Sequence, residues 1–99
     1  MVIVAGHFEV DPARRDEFIA GREESMRTAR SEDGCAVYAF TADPLAPGRV
    51  LLFERWESKE ALQAHLHNLQ SAPSPAGDVP ILAAEILQYE IGRVGPLGS

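Results

Sequence analysis

Residues 50–69, VLLFERWESKEALQAHLHNL, constrain the fold more than any other stretch. They read as a buried strand that runs straight into a capped helix. Val50, Leu52, Glu54 and Trp56 share one strand face, and Leu51, Phe53, Arg55 and Glu57 share the other, because side chains alternate along a strand. Ser58 is suited to cap the following helix, and Glu60 favours its positive end. Ala61, Leu62, His65, Leu66 and Leu69 then fall on one helical stripe. Two polar residues interrupt these apolar faces, Glu54 on the strand and His65 on the helix. A buried carboxylate is costly unless paired, so the two are the first place to look for chemistry.

The rest of the chain supplies three more strands and a second helix. Residues 2–10 alternate as a strand, with Val2, Val4, Phe8 and Val10 on one face and Ile3, Ala5, His7 and Glu9 on the other. Asp11-Pro12 is a helix start. Phe18, Ile19, Arg22, Met26 and Ala29 mark the buried side of a helix that runs to about Glu32, with Arg22 snorkelling at its edge. Asp33-Gly34 is a stop signal. Residues 35–42, CAVYAFTA, form a strand, and a Pro/Gly-rich turn leads to the strand at about 49–57. The helix of about 59–69 is followed by SAPSPAGDVP, residues 71–80, which is either a connector or a lid over a pocket. A last strand spans about 83–94. The order βαββαβ predicts an α+β, ferredoxin-like sandwich with both helices on one face of an antiparallel sheet. Ile3, Ala5, Leu51, Phe53 and one face of the 37–40 segment leave the other sheet face apolar. A second copy is the simplest cover, so a two-fold homodimer is expected.

A chain of 99 residues is one small domain, expected over 1–94. The final GPLGS, 95–99, resembles a tag-cleavage remnant and is set aside. The net charge of −6 argues against a nucleic-acid partner. No stretch is long and apolar enough for a membrane span. MVIVAGHFEV lacks the basic start of a signal peptide. The single cysteine, Cys35, rules out an internal disulfide and fits a reducing cytoplasm.

Several residues admit a bland and a sharp reading. His65 and Glu54 would either pair as a proton-handling unit or form a buried structural ion pair. Trp56 would either fill the core or make a flat wall for an aromatic ligand. His65 and His67 point to nearly opposite sides of a helix, so they do not chelate one metal, and none is expected. His7 and Tyr38 read as interface residues. Cys35, after a helix C-terminus, reads as a small buried apolar residue. The sequence has no phosphate-cradling Gly-rich loop and no nucleophile elbow.

FERWESKEALQAHL, with EDGCAVY before it and DP in the intervening turn, resembles the antibiotic biosynthesis monooxygenase domain. The most specific pieces are DGCxxY at 33–38 and ExWxSxEALxxHL at 54–66. The likeness spans Val2 to Val94, and the GC and WES elements are similar to the quinol-monooxygenase-like branch. It implies a dimeric α+β barrel that oxidises a quinol or polyphenolic aromatic with dioxygen, using no flavin, haem or metal. The substrate would lie between sheet and helices. His65 and Glu54 match the family's frequent His and Glu, and Trp56 its pocket tryptophan. Leu62 would line the substrate with Leu52, Thr41 and Asn68. Leu52 stands where better-known members carry an Asn, Thr41 lies near their second-strand His, and Asn68-Leu69-Gln70 replaces a second His beyond the helix. No Trp stands on the second helix, where the haem-degrading branch carries one. The fold also hosts an isomerase of a phosphorylated sugar. The alternative to an oxygenase is a non-catalytic, dimeric small-molecule-binding or accessory domain.

Overall fold

The computed structural model describes residues 1–72 and 78–99. Four strands, β1 (Val2–Glu9), β2 (Cys35–Ala42), β3 (Arg49–Trp56) and β4 (Ala83–Glu90), form one antiparallel sheet in the order β2-β3-β1-β4. Three helices, α1 (Arg15–Ala20), α2 (Glu23–Ser31) and α3 (Lys59–Ser71), lie between them in the chain. This is the ferredoxin-like arrangement expected of βαββαβ order. Among the described residues, no helix is long and apolar enough to cross a membrane.

Register decides what each face carries. β1 pairs with β3 from Val2↔Trp56 to Glu9↔Arg49, and with β4 from Val2↔Glu90 to Glu9↔Ala83. Val2, Val50, Leu52 and Trp56 therefore point into the core, where they meet Phe18, Ala29, Phe40 and Leu62. Phe18, Phe8, Phe40, Tyr38 and Trp56 follow one another as neighbouring rings with centroids 5.7–6.5 Å apart. The opposite face presents Leu51, Phe53, Leu87 and Tyr89 to the outside, with Phe53 42% exposed.

Three boundaries differ from the sequence expectation. The single helix expected from Pro12 to about Glu32 is broken. Asp11 accepts a hydrogen bond from Ala13 N at 2.9 Å, but it caps a short 3-10 turn, Pro12–Arg14, ahead of α1. Gly21 and Arg22 then separate α1 from α2. Glycine is a poor helix former, and Arg22 is drawn aside to stack its guanidinium 4.1 Å from the Phe18 ring centre and to hold Asp78 in a two-pronged ion pair. β4 ends at Glu90 rather than Val94, because its ladder with β1 runs out after Ile91 N–H, which donates to Met1 O. The 71–80 segment was open between connector and lid. Residues 73–77 of it lie outside the described residues, while Val79 is buried in the core.

A β-bulge corrects the reading of β2. Cys35 pairs with Trp56 and Val37 with Arg55, leaving Ala36 as the extra residue. Cys35, Tyr38 and Phe40 consequently face the helices. Tyr38 is thus a core residue and not part of the open sheet face. Cys35 packs half-buried against the core, and burial pushes its thiol pKa up, as a small apolar role requires.

The turn before β2 depends on Gly34. Its φ of +83° lies in the left-handed region, and a Cβ there would stand 2.6 Å from Ala61 Cβ. Gly34→Ala is therefore expected to destabilise the fold by more than about 1 kcal/mol. Thermal unfolding should show a fall in Tm of roughly 4–8 °C or more; an unchanged Tm would contradict this account of the turn.

Candidate functional site

α3 is positioned from its first turn. Ser58 Oγ accepts from Ala61 N at 3.1 Å, as its sequence position predicts. Of the apolar stripe, only Ala61, Leu62 and His65 go under; Leu66 and Leu69 stay half exposed. A cleft lies on either side of α3.

The larger cleft, about 410 Å³, runs between α2 and α3. Its surface is mostly apolar, and Thr28, Glu32, His65, Asn68 and Leu69 are among its lining residues. The smaller, about 190 Å³, lies toward β1 and β4 and is lined by Val4, Glu54, Leu62, Leu66, Ile86, Leu87 and Gln88. Only the larger reaches the volume usual for an organic ligand.

The polar groups between the clefts do not pair as the sequence suggested. Glu54 accepts a hydrogen bond from the Trp56 indole N–H at 2.9 Å, not one from His65. The two share a strand face two residues apart, so the bond closes within β3. His65 instead places Nδ1 3.2 and 3.3 Å from the two carboxylate oxygens of Glu32. Its Nε2 is buried and has no hydrogen-bond partner among the described residues. The imidazole stacks on Trp56 with centroids 4.7 Å apart and meets Tyr38 edge-on at 5.3 Å. Burial drives the Glu54 pKa up; the Trp56 hydrogen bond and the nearby His65 pull it down, and Glu32 adds to the rise. Burial also pushes the Tyr38 hydroxyl well above its ordinary value.

The other expected site residues scatter. Asn68 lines the larger cleft with His65, and Leu62 lines the smaller with Glu54. Trp56 is fully buried and stacks on His65, so it is not an open wall for a ligand. Leu52 is in the core. Thr41 is exposed and pairs with Leu51 on the open sheet face, away from both clefts. His67 is exposed on α3. His7 lies on the open sheet face, 3.8 Å from Glu9. Among the described residues no three His, Cys, Asp or Glu side chains gather as a metal site. Glu32 was missed. It ends α2 beside the DGC motif, and its only sequence signal was that adjacency.

Residues 1–72 match the family described as antibiotic biosynthesis monooxygenase. The chain belongs to that family. Its relatives include the uncharacterised protein sll1783 of Synechocystis, 32% identical over 98 residues, which cover 97% of this chain and 67% of that one. Among solved antibiotic biosynthesis monooxygenase structures, a candidate member from Chloroflexus aurantiacus is 28% identical over 95% of this chain and 96% of its own, with a TM-score of 0.72. Another candidate member, from Deinococcus radiodurans, covers both chains fully with a TM-score of 0.76 at 20% identity, a likeness of fold.

The raised Glu54 pKa has a consequence for stability. The native state holds this proton more tightly than the unfolded chain, so stability falls as pH rises from the ordinary value of 4.5 through the raised native one. Glu54→Gln keeps an acceptor for the indole and removes that slope. Urea unfolding across acid to neutral pH should show wild type losing stability relative to Glu54→Gln as pH increases. The opposite trend would contradict the burial argument.

Proposed function

We propose that this protein oxidises an electron-rich hydroxylated aromatic, a quinol or polyphenol, with dioxygen and without a cofactor. The carrying observation is the cleft of about 410 Å³ with the part-buried Glu32–His65 pair in its wall. Phenol oxidation of this kind needs a sheltered pocket, a proton acceptor and orientation; the mostly apolar lining suits an aromatic ring, and the Glu32–His65 pair supplies an acceptor. Family membership and the GC and WES elements support the same reading. Deprotonation makes the ring a good one-electron donor to dioxygen. Recombination forms a C–O bond, and loss of water leaves a hydroxyquinone, with one oxygen atom in each product. Trp56, held by Glu54, backs the His65 ring rather than touching substrate.

Among the described residues no Lys or Arg lines this cleft, while Glu24 and Glu32 do. The substrate is accordingly uncharged rather than carboxylated or phosphorylated. That charge pattern disfavours the sugar-phosphate isomerase alternative. We also propose the two-fold homodimer, covering the apolar face of Leu51, Phe53, Leu87 and Tyr89.

Oxygen uptake with a panel of neutral hydroquinones should be measurable, and His65→Gln should lower it at least about tenfold while circular dichroism stays unchanged. Absence of uptake across the panel would favour the non-catalytic binding domain. Phe53→Glu should convert a dimer to a monomer in light scattering; a wild type already monomeric would refute the pairing.

A further inference from the structure

We infer that Glu32 is the group that takes the substrate's proton, with His65 a positioning residue behind it. The inference rests on the proposed oxidation and assigns its base. Access decides between the two. His65 is 2% exposed, its ring stacked on Trp56 with Tyr38 edge-on, and its Nε2 is sealed away from solvent. Glu32 also lines the cleft and its side chain is 17% exposed. Of the two, Glu32 is the side chain more open to a molecule in the cleft.

The hydrogen-bond chemistry agrees. An ionised carboxylate only accepts, so beside it Nδ1 of His65 carries the hydrogen. Nδ1 lies 3.2 and 3.3 Å from the two oxygens. It therefore steadies the carboxylate as a whole and, among the described residues, leaves acceptor sites on both oxygens unused. The backbone fixes the residue at both ends: Glu32 N–H donates to Ala29 O, and Cys35 N–H donates to Glu32 O. An imidazole buried with one nitrogen unpartnered among the described residues is costly where an apolar ring would pack. Its presence is accounted for by what Nδ1 does.

The step balances. A quinol hydroxyl donates to Glu32 and its proton passes to the carboxylate. The quinolate gives one electron to dioxygen, and the resulting pair joins in a C–O bond. The proton on Glu32 returns to the distal oxygen and gives a hydroperoxide. The ring carbon that carries it then loses its own hydrogen as a proton, the C–H electron pair forms the new C=O as the O–O bond breaks, and the departing hydroxide takes up that proton as water. Glu32 ends ionised, ready for the next turnover.

The test compares Glu32→Gln, Glu32→Asp and His65→Gln with methylhydroquinone as substrate. Glu32→Gln should lower kcat by about 100-fold or more with KM changed far less, and Glu32→Asp should restore part of the loss. Glu32→Gln retaining more than about a tenth of the wild-type kcat would overturn the assignment. A second readout is independent of turnover. In wild-type protein with labelled histidine, the neutral His65 ring should carry its hydrogen on Nδ1, and Glu32→Gln should weaken that preference. Anaerobic methylhydroquinone should shift the carboxyl resonance of Glu32 more than that of Glu54. If no oxygen is consumed but these resonances behave as stated, the oxidation fails while Glu32 stands as the cleft's acceptor. If Glu32 does not respond, the inference is overturned whether or not oxygen is consumed.

Discussion

The close approach of α3 to the turn that ends α2 is the contact on which the rest of the structure depends. Gly34 makes it possible, because no side chain intervenes between that turn and Ala61. Glu57 N–H donates to Gly34 O at 2.8 Å and fixes the entry to α3 from the other side. His65 stands four residues beyond Ala61, on the same helical face. With Ala61 seated, His65 lies over Trp56 and against Glu32. The turn, the helix register and the part-buried pair form one mechanical unit.

Two carboxylates flank the Trp56–His65 stack, and they are handled differently. Glu54 is bonded inside its own strand to a neutral indole N–H, and burial dominates its electrostatics. Glu32 is joined across the fold to an imidazole and keeps an edge toward the larger cleft. A neutral donor holds a carboxylate in place without compensating its charge. A histidine can do both, because its own charge adjusts. That difference separates a carboxylate braced within its own strand from one braced across the fold at the edge of the cleft.

Much of this architecture is legible in the sequence, for local reasons. Alternation along Val50–Trp56 and Val2–Val10 gives the faces, and Ser58 and Asp11 mark where helical turns begin. What is not legible is set by contacts between distant segments. The break at Gly21–Arg22 follows from Arg22 turning to Phe18 and to Asp78, 56 residues away. Tyr38 joins the core because one extra residue in β2 re-phases the strand. Glu54 and His65 were correctly read as buried polar residues, yet face sharing alone does not say which partner each finds. Glu54 found a donor two residues away, and His65 found an acceptor 33 residues away.

The bulge at Ala36 has a further effect. Upstream of it, the Glu32–Cys35 segment keeps step with the start of α3; downstream, β2 keeps step with β3. One inserted residue lets both rhythms coexist, as a leap day reconciles two calendars. The Glu32 corner and the sheet are thereby uncoupled in phase.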